Sequence, residues 1–176
     1  MMISLYNASI PCLIHNLQNL SEILKKGTDY AAEKKFDPAV LVNARLAPDM
    51  FPLSKQVQIA TDIAKGFAAR ISGVENPKFE DNETSFEQLQ ARIAKTITFL
   101  KSVDEKKVNG QEARVIELKV GGLELKFNGL DYLLHFVIPN VYFHITTTYA
   151  ILRHNGVAVG KNDFLGEIQP QQKKAA

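Results

Sequence analysis

Residues 130–155 read LDYLLHFVIPNVYFHITTTYAILRHN, and their apolar side chains surround nearly the whole circumference of a helix. A surface helix buries one stripe, so a helix of this kind needs neighbours on every side. Asn128 is placed to cap its start and Gly156 lies just past its end. At 1.5 Å per residue the rod is close to about 40 Å long. Its uncharged part, YLLHFVIPNVYFHITTTYAIL, carries two His, an Asn, three Thr and a Pro, which suits a buried bundle helix better than a membrane span.

The rest of the chain offers the neighbours. Residues 4 to about 34 form a first long helix, with Leu13, Leu17, Leu20 and Leu24 on one stripe. Pro11 makes its start either a separate turn or a kink. FDPAVLVNARLAPDMFP is a connection with one short helical turn. Residues 53–72 form a second helix striped by Val57, Ala60, Ala64, Phe67 and Ile71, stopped by Gly73. A third opens at TSFE, where Thr84 and Glu87 have capping-box spacing, and ends near Val103.

One segment changes period. RVIELKVGGLELKF alternates apolar and polar residues around Gly121-Gly122, a two-residue hairpin signal. The turn pairs Val120 with Leu123, Leu118 with Leu125 and Ile116 with Phe127. The other face then sets Lys119 against Glu124 and Glu117 against Lys126. One register thus yields an apolar face and two opposite-charge pairs. The expected fold is mainly α: a four-helix bundle with a β-hairpin between helices three and four. One domain over residues 1–166 is followed by a disordered tail over 167–176.

A net charge of +2, with no basic run interleaved with aromatics, argues against nucleic acid. The single Cys12 cannot close an intramolecular disulfide, which favours a reducing compartment. The first residues lack a basic stretch and break at Pro11, a poor signal peptide. A cytoplasmic protein with no membrane partner is expected.

Three of the four histidines lie on the last helix. His135 and His144 are nine positions apart, about 180° in phase, and His154 is about 15 Å beyond His144. No two of them can share a metal. Zinc on a helix wants imidazoles at i and i+4, and here Asn140 stands one turn before His144. Pro139 removes a helical N–H and frees the carbonyl of His135, so a kink is expected in the turn before it.

The run NVYFHITTTYAILRHNGV resembles the last helix of the DinB-like (YfiT-like) bundle superfamily. Its mostly bacterial members include metalloenzymes, thiol-dependent transferases and a maleylpyruvate isomerase. They end in H-x-x-x-H-R-G-Q, an apolar stretch and L-R-x-x-G. Counted back from Gly156, Leu152-Arg153 matches the L-R pair, His144 falls on the second histidine and Asn140 on the first. The whole chain, roughly residues 2–166, is similar to an uncharacterised branch of that superfamily, a domain of unknown function. The branch shares NARLAPDMFPLSKQVQIATD and YLLHFVIPNVYFHITTTYAILRHNGV.

The resemblance implies a metal site of three histidines, the third from the second helix. Gln58 is the nearest match by spacing, with Asp62 one turn further as a possible carboxylate substitute. One imidazole and two neutral amides are a poor set for a divalent transition metal such as Zn or Ni. The expectation is therefore a polar pocket of Gln58, Asp62, Asn140 and His144, with a degraded or atypical metal site on His144. It belongs either to a small-molecule enzyme or to a non-catalytic ligand-binding or interaction module. The all-round apolar last helix, together with the frequent dimers of the superfamily, implies a homodimer.

Cys12 reads as a core residue, His15 as a surface or interface residue and His135 as a hydrogen-bonded core histidine. His154 suits the C-terminal end of its helix. Arg45 either pairs with Asp49, the favoured reading, or binds an anionic substrate at the mouth of the bundle. No phosphate-cradling loop or triad is present in the sequence.

Overall fold

The computed structural model describes residues 3–167; the expected tail lies, from residue 168, outside the described residues. Four long rods form the bundle: α1 (Leu5–Lys34), α3 (Leu53–Ser72), α4 (Phe86–Ser102) and a last rod made of α6 (Gly129–Asp131), a π-helical turn (Tyr132–Val137) and α7 (Ile138–His154). Short helices α2 (Ala39–Val42), α5 (Glu105–Val108) and α8 (Lys161–Leu165) fill the connections, and β1 (Ile116–Val120) pairs with β2 (Leu123–Phe127). The rods close a ring in which α1 packs on α4, α4 on α3, α3 on α7 and α7 on α1. The mainly helical fold with one inserted hairpin is the architecture read from the sequence.

Ser4 caps α1 by accepting from the Asn7 N–H, and the helix runs unbroken through the exposed Pro11. The bond Pro11 cannot make is lost at the surface, where water replaces it. The cap of α4 sits one residue later than expected. Ser85 accepts from Gln88 N, while the Gln88 side chain takes the N–H of Thr84. The glutamine, not Glu87, closes this variant of the box.

The hairpin has the register expected, from Ile116 opposite Phe127 to Val120 opposite Leu123. Gly121 and Gly122 both take positive φ, 57° and 83°, as a two-residue turn of this hand requires. Lys119 meets Glu124 at 2.7 Å and Lys126 meets Glu117 at 3.2 Å. Ile116 and Leu118 are buried, and Phe127 packs against Tyr132 and Phe136 of the π turn.

That π turn is how the helix accommodates Pro139. The N–H of Ile138 reaches back five residues to Leu133, and the side-chain amide of Asn140 donates to the carbonyl of Phe136 at 2.6 Å. The ladder shifts by one residue where a proline interrupts it, and a nearby amide serves a backbone acceptor. One side of the last rod stays bare within a single chain: Leu130, Leu134, Tyr142 and Phe143 are 41%, 46%, 38% and 56% exposed. Among the described residues no helix is long and apolar enough to cross a membrane.

Candidate functional site

Gln56 lies in the first turn of α3, where the packing of α3 on α7 brings it against His144. Its amide nitrogen donates to the carbonyl of Phe51 at 3.1 Å, which fixes which end of the amide is oxygen. Oε1 then faces Nδ1 of His144 at 2.7 Å. An amide oxygen only accepts, so Nδ1 carries the proton and Nε2 keeps its lone pair. Burial lowers the pKa of His144 below the ordinary imidazole value, so the neutral tautomer prevails near pH 7.

Nε2 has no protein partner, yet no buried side-chain nitrogen or oxygen among the described residues lacks one. The atom is therefore open to the cleft that His144 lines. This cleft, about 390 Å³, is walled by Ile59 and Ile63 of α3, Leu118 and Val120 of β1, and Tyr132, Phe136 and Asn140 of the last rod. Phe51 stands at one end and Arg70 at the other. Such a lining, apolar with a few polar groups, is what small organic ligands select. Unaided, the site can accept a hydrogen bond or a single proton at Nε2.

The expected pocket residues do not all gather here. Asn140 lines the cleft one turn from His144, with its amide donor already given to Phe136. Asp62 lines the cleft too, but its Oδ1 takes Arg92 at 2.7 Å and Lys65 at 3.1 Å. Gln58 is a correction. It faces the opposite flank of α3 and donates to Glu83 at 2.9 Å, because two residues along a helix turn a side chain by about 200°. Gln56 holds the place that spacing assigned to Gln58. Gln56, Arg70 and Tyr132 went unnoticed in the sequence; the nearest signal was the polar pair flanking Val57.

His135 is another correction. It is exposed, 3.9 Å from Asp131, because the π turn buries Tyr132, Leu133 and Val137 instead. His154 is exposed in the last turn of α7. His15 is exposed and its Nε2 meets the Leu165 carbonyl at 2.8 Å. Cys12 is half-buried rather than core, 3.6 Å from the Tyr142 hydroxyl. Arg45 donates to the carbonyl of Met50 at 2.6 Å rather than pairing with Asp49.

A family model described as a domain of unknown function (DUF1993) matches residues 5–165. The chain belongs to that family. The DUF1993 chain is also similar to a solved structure, a DinB family member protein from Shewanella denitrificans, at 41% identity and a TM-score of 0.86, with 96% of each chain covered. No curated protein matches it. The DinB-like fold seen in the sequence thus stands.

The metal that the resemblance implies finds a poor donor set in this domain. His144 offers Nε2, while the oxygen of Gln56 is committed to His144, Asn140 gives its amide to backbone and Asp62 is neutralised by two cations. No group of three His, Cys, Asp or Glu with metal-binding geometry occurs among the described residues. One imidazole and two engaged amides do not fit a tetrahedral zinc site.

Proposed function

We propose that this domain binds a small organic molecule in the cleft between α3, α7 and β1, with Nε2 of His144 as the acceptor that meets the ligand. The hydrogen bond from His144 to Gln56 carries the reading. It holds a neutral imidazole in one tautomer, within a pair only 9% and 2% exposed, and leaves its basic nitrogen directed at an apolar cavity. Burying two polar side chains costs more than an aliphatic pair of the same shape, and ligand recognition is a use that offsets the cost.

Binding stands ahead of turnover in this reading, because the other titratable groups that line the cleft among the described residues are engaged: Asp62 is held by Arg92 and Lys65, Lys119 by Glu124, and the Tyr132 hydroxyl accepts from Arg70. The reading needs no metal, since the donors beside His144 are spoken for.

Nitrogen-15 NMR of the histidines at neutral pH tests it. The expected pattern for His144 is a protonated Nδ1 and a bare Nε2, lost on Gln56→Leu and unmoved by one equivalent of Zn²⁺. Protein purified without an affinity tag that retains one tight metal ion bound through His144 would overturn it.

A further inference from the structure

Two guanidinium groups stand without an acid partner beside the cleft. Arg70 lines both the His144 cleft and an adjoining concavity of about 310 Å³, which it shares with Gly73, Asn76, Arg114 and Ile116. Neither Arg70 nor Arg114 makes an ion pair among the described residues. Glu117, the carboxylate lining the same concavity, is given to Lys126 on the opposite strand. The contrast with Arg92 is sharp: that side chain, almost wholly buried, takes Asp62, Asp81 and Glu83.

Arg70 is held in place, and Arg114 lies exposed in the same concavity. Arg70 Nη1 donates to the Tyr132 hydroxyl at 3.2 Å, and a Cβ at Gly66 would collide with that same nitrogen. Glycine there is the condition for the guanidinium to lie where it does. Arg114 lies over Gly73, with its terminal nitrogens 3.2 and 3.4 Å from the place a Cβ would occupy, and makes a long bond of 3.4 Å to Gln111. Each retains N–H donors to spare, in the planar arrangement that suits an oxyanion.

The two concavities adjoin at Arg70, which lines both. Strand β1 also walls both: Ile116 and Glu117 line the arginine end and Leu118 to Val120 the His144 end. Along the last rod, Tyr132 and His144 are twelve residues apart, on the order of 18 Å. The stretch between His144 and Arg70 is lined by Ile59, Ile63, Leu118 and Phe136, together with Asp62 and Lys119, each of which is held in an ion pair.

We propose that the adjoining concavities take an amphiphilic anion, with an elongated apolar body along α3 and β1 and a terminal oxyanion on Arg70 and Arg114. The inference rests on the cleft being a ligand site and adds the class of ligand. A carboxylate and a phosphate monoester share this chemistry.

Calorimetric titration of the full chain with octanoate, octyl phosphate and the neutral octanamide tests it. The better of the two anions is expected to bind about tenfold or more tighter than the amide, as charge-assisted hydrogen bonds to an anion provide; which one wins names the headgroup. Arg70→Gln should abolish that preference. Arg114→Gln, an exposed change remote from the core, should reduce the preference and decides the matter if Arg70→Gln misfolds. Anions and amide binding alike, or a preference that survives both variants, overturns the anion site and leaves the cleft reading intact. No binding by any of the three overturns both.

Discussion

Gln56 and Gln58 flank Val57 on α3, each about 100° from it in opposite directions. The stripe of Val57, Ala60 and Ala64 was legible in the sequence, and so was its burial. Which flank meets the last helix depends on how the two rods are rotated, and no local pattern encodes that. His144 was legible because nine-residue and ten-residue separations put the other two histidines of its helix elsewhere. The difference between the flanks is testable with zinc. Gln56→His with Asn140→His should create an i, i+4 pair facing a third imidazole and raise zinc affinity clearly. Gln58→His with Asn140→His should not, because residue 58 points at Glu83. Equal gains in the two double variants, measured by competition with a zinc indicator, would place Gln56 wrongly.

His144 also predicts a pH dependence. Its folded pKa lies below the ordinary 6.5 because burial disfavours the charged ring. The unfolded chain therefore takes up a proton near pH 6.5 that the folded chain refuses. Stability from this residue is complete above 6.5 and is lost as pH falls from there toward the lower folded value. Wild type should lose melting temperature between about pH 7 and 5, and His144→Phe should lose less. Parallel curves for the two proteins would show that His144 is not the group responsible. Carboxylates act lower: Asp163, held below its ordinary 3.8 first by its hydrogen bond from Lys26, contributes above that value and fails under it.

At the scale of elements, the hairpin was readable residue by residue because Gly-Gly fixes the turn and period two fixes the faces. The π turn was not. Pro139 announced a disturbance, but whether a helix kinks or widens depends on what fills the space around Tyr132 and Phe136. Leu118, 8% exposed on the packed face, is the test of the hairpin's docking. Leu118→Lys should cost about 1–3 kcal/mol in urea unfolding; an unchanged midpoint would mean the hairpin floats. The loop of residues 74–84 depends on Arg92, whose side chain binds Asp81, Glu83 and the Glu80 carbonyl as well as Asp62 and Thr61. Arg92→Leu leaves those carboxylates short of a buried cation, at a cost of about 3 kcal/mol. Faster amide exchange should be confined first to residues 74–84, and uniform loss of protection would argue that Arg92 supports the whole bundle instead.

At the scale of the molecule, a single chain does not finish covering its last rod. Leu130, Leu134, Ile138 and Tyr142 recur every four residues, so they follow one another along a single slowly turning stripe. Three of the four are exposed, as is the neighbouring Phe143, while the hairpin occupies another side of the rod. We propose that a second copy of the chain lies on this stripe in an isologous contact, the two last rods crossing about a twofold axis. Apolar character all round a helix, followed by burial of only part of it within one chain, is the pattern such a contact leaves. The stripe is separate from the cleft wall formed by Tyr132, Phe136, Asn140 and His144, so dimerisation and ligand binding should be separable. Light scattering at tens of micromolar should give twice the chain mass for wild type. Leu130→Glu with Leu134→Glu should give the monomer mass with helical content unchanged, since both side chains are exposed and neither touches His144. Octanoate affinity should survive in that variant. A wild-type protein that is already monomeric leaves the stripe without its second copy and removes the proposal.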